Sequence, residues 1–176
     1  MSRIYLSAKL QKLFPPIAPQ AQDNFPESAL GDWNAHLFTV DRKKCVVLVN
    51  NKSYYAVFLA GILKKDLKNF PELFLTHLLR QLVYDKIIDT ADTALIQEHY
   101  GQQALLRTNN DKKTLGTMND FIFQFKAHCE GHPLDSIDLA AINHYINNSP
   151  TGAGRTGSRR YGWPAKDMKE LVSHAG

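Results

Sequence analysis

His36, Asn119 and Asp120 are the side chains best suited to acid–base chemistry, with Asp32, Asn34 and Asp41 grouped around the first of them. His36 shares a strand face with Asn34, two positions away, so the pair can line one cleft. Asn119 and Asp120 are polar residues at an otherwise apolar helix start, Thr114-Leu115-Gly116-Thr117-Met118. There they can bind a substrate or cap a neighbouring loop, and the cap is the preferred account. A hydrolase needs a nucleophile, a base and a group that orients the base. No such set assembles from spacing, so the balance leans away from an enzyme.

Two other patterns invite chemistry and do not sustain it. His128, Cys129, His132 and His144 have the residue types of a zinc site, and His128 with His132 has the i, i+4 spacing. Gly131 and Pro133 break the helix there, however, and Cys129 belongs to an apolar stripe, so no metal is expected. Gly152, Gly154 and Gly157 spell GxGxxG, but that fingerprint requires a preceding strand, a following helix and a βαβ unit. Here Asn148-Ser149-Pro150 precedes it, so neither a nucleotide nor any other cofactor is expected.

Binding is the better use of the remaining residues. Arg155, Arg159 and Arg160 lie just before Tyr161 and Trp163; guanidinium groups pair with phosphates and exposed rings stack on bases. The competing and preferred account is a tail folded back on the core with Tyr161 and Trp163 as anchors. Arg42, Lys43 and Lys44 form a second basic group, at a turn. The last 27 residues hold five of the 21 Lys/Arg but two of the 17 Asp/Glu, so most of the net +4 charge sits on this tail. That excess suits an acidic partner without requiring one.

These residues need a scaffold. Within 176 residues, 44% are hydrophobic and 22% charged, ordinary usage for one globular domain with its own core. No apolar run approaches the ~20 residues that cross a bilayer, and MSRIYLSAKLQKLF fails as a signal peptide. A cytoplasmic protein away from membranes is expected, with Cys45 and Cys129 as buried thiols. Arg3 to Leu6 reads as a strand, followed by a helical turn that faces Ala8, Leu10, Leu13 and Phe14 inward. Prolines 15, 16, 19 and 26 make residues 15–31 irregular. Trp33 to Val40 alternates as a strand, Asp41 to Lys44 is a polar turn, and Cys45 to Val49 is apolar throughout, as in a strand covered on both faces. Tyr54 to Ala60 completes a meander.

Helices follow over about 71–88, 91–100, 115–129 and 135–147, with a strand at 103–108. The 135–147 helix is expected to bury Ile137, Ala141 and Tyr145. The fold is therefore α+β: an antiparallel meander of four or five strands covered by the helices of residues 66–147. The division is a domain over 1–149 and a Gly/Arg-rich tail with a short helix over 150–176.

Two stretches resemble a bacterial family of unknown function, often met among plasmid, phage and other accessory genes. One is Leu30-Gly31-Asp32-Trp33-Asn34-Ala35-His36-Leu37, continuing through Asp41-Arg42-Lys43-Lys44-Cys45 to Val49-Asn50-Asn51; it departs at Asn34, where the pattern has His. The other is Thr114 to Asp120, similar to a Leu-Gly-Ser-Met-Asn-Asp helix start, with a fainter echo in Asn148-Ser149-Pro150 and Tyr161-Gly162-Trp163-Pro164. The resemblance implies a shared fold and a bacterial or phage origin, and brings no activity with it. Two classes stay open. The first is a non-catalytic binding or regulatory protein that engages a protein or nucleic acid. The alternative is a small hydrolase or nuclease using the Asp, His and Asn side chains near the Trp33 strand and the Asn119-Asp120 helix start.

Overall fold

A computed structural model of the chain describes residues 2–17, 26–153 and 161–176. Five strands form one sheet: β1 (Ser2–Leu6), β2 (Trp33–Val40), β3 (Lys43–Asn50), β4 (Ala56–Leu59) and β5 (Gln103–Arg107). Their order is β4-β3-β2-β1-β5. The meander β2-β3-β4 is antiparallel, but β1 runs parallel to both β2 and β5. The sheet is thus mixed, not the antiparallel meander expected from sequence. Parallel neighbours need a long crossover, and the chain supplies two. Residues 7–32 carry it from β1 back to the start of β2. Helices α2 (Phe70–Tyr84) and α3 (Thr93–Tyr100) lead from β4 to β5. The remaining helices are α1 (Ala8–Gln11), α4 (Lys112–Cys129), α5 (Leu139–Asn147) and α6 (Pro164–Ala175).

Both faces of the sheet are covered. Strand alternation sends Trp33, Ala35 and Leu37 to one face, where they meet Val46, Leu48, Val57 and Leu59 together with Phe74, Leu78, Tyr100, Met168 and Val172. The Trp33 ring makes edge contacts with Phe74 at 4.9 Å and Tyr100 at 5.8 Å. Phe38, Cys45, Val47, Val49 and Phe58 point the other way, onto Met118, Phe121, Phe125 and Cys129 of α4. There Phe58 and Phe125 stack at 4.5 Å. The apolar run of β3 is fully buried, as a strand covered on both faces requires. Both cysteines are buried free thiols, and burial pushes both up. Among the described residues, no helix is long and apolar enough to cross a membrane.

Several local expectations are corrected. Ala8 is exposed, and Leu10 is the buried residue of α1. The β2–β3 turn is only Asp41-Arg42, both at positive φ, the geometry of a two-residue hairpin loop; Lys43 and Lys44 already belong to β3. Helix α5 buries Asn143, Ile146 and Asn147, while Tyr145 is exposed. The reason is the outer edge of β4. Asn147 bonds both backbone groups of Ala56, and Asn143 Oδ1 accepts from Phe58 N–H at 3.2 Å. The two amides, one helical turn apart, take the place of a missing neighbour strand.

Candidate functional site

The residues that carry the family resemblance around Trp33 build a polar knot. Gly31 sits at φ +84°, a conformation L side chains rarely adopt, with Asn51 closing over it. Asp32 is buried and accepts from Arg3 N–H at 3.0 Å, with the Arg3 guanidinium at 3.5 Å. Burial raises its pKa despite the Arg3 N–H bond and charge, which pull the other way. Its own N–H donates to Asn51 Oδ1 at 2.9 Å. Asn50 Nδ2 donates to the Leu30 carbonyl, which also accepts from the Tyr100 hydroxyl at 2.7 Å. Asn50 Oδ1 accepts from Lys52 N–H, Ser53 N–H and the Ser53 hydroxyl. These contacts hold the loop before β2 against the β3–β4 turn, which is structural work.

Asn34 and His36 do share one sheet face, the face covered by α4. Asn34 Nδ2 and His36 Nδ1 are buried without a hydrogen-bond partner. Burial, and then the charge of Lys9, lowers the pKa of His36. Asn119 and Asp120 lie elsewhere. The helix begins at Lys112 with Asp111 as its N-cap, accepting from Lys113 and Thr114 N–H, so neither residue is at the helix start. Both are exposed on α4, whose sheet-facing side is Thr114, Thr117, Met118 and Phe121. Asp120 instead lines a shallow hollow with Pro150, Thr151 and Gly152.

The basic groups are also dispersed. Strand alternation splits Lys43 from Lys44, and Lys43 is paired with Asp135. Arg42 is exposed at the turn. Arg155, Arg159 and Arg160, with Gly154 and Gly157 of the glycine pattern, lie outside the described residues. Thr151 and Gly162 bracket that stretch and exchange two backbone bonds, at 2.9 and 2.6 Å. Tyr161 and Trp163 are about half exposed, at 40% and 43%. The expected aromatic anchors are thus replaced by Pro164, Ala165, Met168 and Val172, the buried residues of α6. The zinc-like group is divided as well: His128 packs edge-on against Tyr145, Cys129 is in the core, and His144 turns to Asp85. Among the described residues, no three His, Cys, Asp or Glu side chains are grouped to hold a metal.

Two features were not legible as sites. The first is an open concavity of about 900 Å³ between the β2–β3 turn and the C-terminal half of α4, lined by Val40, Asp41, Phe123, Lys126, Ala127 and Pro133 among others. Phe123 on its wall is 76% exposed. The second is a polar cluster between α2 and α5. The Asp85 side chain is fully buried and accepts from the Tyr55 hydroxyl, from Gln81 Nε2 at 3.1 Å and from His144 Nδ1 at 2.7 Å. Burial, and then the Asp85 charge, raises Tyr55 well above the usual phenol range, so it stays a donor. A carboxylate at a helix C-terminus faces the negative end of the helix dipole, and that misfit is the one sequence signal that points to Asp85.

No curated protein and no solved structure matches the chain. A family model does, over residues 3–167, from β1 into α6 and so across nearly every element described above. The chain belongs to the family described as a domain of unknown function, DUF6933.

Proposed function

We propose that the protein is a binding or regulatory protein of the bacterial or phage accessory genome, acting in the cytoplasm, and that it engages a protein partner through the concavity beside Phe123. One observation carries this reading: a phenyl ring 76% exposed on the wall of an open, largely apolar hollow. Exposed apolar surface of that kind is costly to maintain unless something covers it. The charges lining it are mixed, Lys126 against Asp41 and Glu130, which suits a protein segment presenting an apolar side chain better than a polyanion. The hydrolase reading built on His36, Asn119 and Asp120 has less support, because His36 lies under α4 while the other two lie on its exposed side.

The test is co-purification from the native host, with partners identified by mass spectrometry and the complex rebuilt from the two purified proteins. A one-to-one complex that survives high salt and is lost in Phe123→Asp, with the fold intact by circular dichroism, supports the reading. Recovery of nucleic acid released by salt, or a complex indifferent to Phe123→Asp, overturns it.

A further inference from the structure

We infer that Asp85 and His144 form an acyl-accepting catalytic dyad, with His144 Nε2 as the nucleophile toward aryl or similarly activated esters. The inference does not rest on the binding reading, whose residues lie on other side chains. Its basis is the arrangement of three groups. Asp85 has a wholly buried carboxyl group on which three side chains converge, Tyr55, Gln81 and His144. His144 Nδ1 lies 2.7 Å from it, and in the neutral tautomer that donates Nδ1–H to this carboxylate the ring's lone pair is on Nε2. The imidazole is 48% exposed, so that nitrogen is on a side chain solvent and substrate can reach. Asn148 Nδ2 also lies 3.2 Å from Nδ1, but it donates to the His144 carbonyl at 2.9 Å, and an Nδ1 that carries a proton toward Asp85 cannot accept from it. Beside the imidazole, the half-exposed Tyr84 ring stands edge-on at 5.8 Å and offers an apolar face to an aryl group.

An orienting carboxylate behind a histidine is two-thirds of the nucleophile–base–orienter logic, with the histidine itself as nucleophile. Nε2 attacks the ester carbonyl carbon, and the C–O bond to the aryloxide breaks, the leaving oxygen taking the electron pair. The acyl-imidazolium that results carries a positive charge, which the buried Asp85 carboxylate neutralises. Water then adds to the acyl carbon, the C–N bond breaks, and the imidazole returns with release of the carboxylic acid and a proton. A tie between two helices alone would not require a buried charge; Asn at position 85 would serve.

His174 is the internal comparison: it is also exposed, and its Nδ1 is held at 2.6 Å, but by the uncharged Glu170 carbonyl. The experiment follows hydrolysis of p-nitrophenyl acetate by the full chain and locates the acetyl group by mass spectrometry after rapid acid quench. Acetyl on His144, with a protein-dependent rate that falls on the order of tenfold or more in His144→Gln and in Asp85→Asn but not in His174→Gln, is the expected result. Circular dichroism of each variant separates lost chemistry from lost fold. If Asp85→Asn does not fold, His144→Gln and the acetyl map still decide. Label spread evenly over His144 and His174, or a rate unchanged in His144→Gln, overturns the inference and leaves the pair a helix tie.

Discussion

Asn147 makes a paired hydrogen bond with the backbone of Ala56, its Nδ2 donating to the carbonyl at 2.8 Å and its Oδ1 accepting from the N–H at 2.7 Å. A side-chain amide has the same donor and acceptor as a peptide group, so one residue completes the ladder that β4 would otherwise leave open. Asn147→Leu keeps the branched shape of the side chain and strands both groups. The expected cost is about 1–3 kcal/mol for each buried group left unpaired. Urea denaturation should find Asn147→Leu more destabilised than Asn143→Leu, which strands only the Phe58 N–H.

Gly31 and Gly131 separate two costs of a side chain at positive φ. A Cβ at Gly31 comes within 2.6 Å of Asn51 Oδ1, whereas at Gly131 it meets nothing within 4 Å. Gly131→Ala should cost only the backbone strain, on the order of 1 kcal/mol. Gly31→Ala adds the clash and disturbs the bond from Asp32 N–H to Asn51. Thermal melts should rank Gly31→Ala clearly lower.

The pH dependence near neutrality has a defined sign. In the folded chain His36 takes up its proton at a lower pH than the ordinary 6.5, because burial and then Lys9 disfavour the cation. Between the two values the unfolded chain holds the extra proton, so stability falls as pH drops through 6.5. His77, lowered by burial and then by Arg80, adds a contribution of the same sign. Denaturation at pH 7.5 and 5.5, two settings about one unit either side of that region, should show a smaller loss in His36→Gln than in wild type. An unchanged loss would place His36 outside the effect.

Helix α6 is held by Met168 rather than by Trp163. Met168 is 1% exposed within the first core, and Trp163 is 43% exposed. Met168→Ala should cost roughly 2–5 kcal/mol, the usual range for emptying a buried methionine site. Trp163→Ala should cost less, despite removing the larger side chain. Chemical denaturation of the two variants, side by side, gives the ranking directly.

Much of this architecture can be read from residue spacing. The period of two from Trp33 to Val40, the unbroken apolar run of β3 and the stripe of α4 each follow from burial alone. The direction of β1 does not. Nothing in Arg3-Ile4-Tyr5-Leu6 states whether residues 7–32 return the chain to the same end of the sheet, and that path decides parallel against antiparallel. The face of α5 misleads for a different reason. Hydrophobicity favours Tyr145 as the buried residue, but an unpaired strand edge needs amides more than it needs another ring. The Asp85–His144 pair joins residues 59 apart in sequence through two helix ends. No local pattern links them, and only the awkward charge at the end of α2 marks the place.

The position of β1 has a consequence for how the chain folds. It lies between β2 and β5, with Ser2 in register with Gln103, about a hundred residues later. The hairpins of β2, β3 and β4 close over short turns and can form early. The β1–β5 pairing must close the longest loop in the sheet, so it adds heavily to the contact order that slows folding. During synthesis β1 emerges first and then waits for its second neighbour through most of the chain. In that interval one of its edges is unpaired, which makes this strand the point where a nascent chain is most open to pairing with the wrong partner.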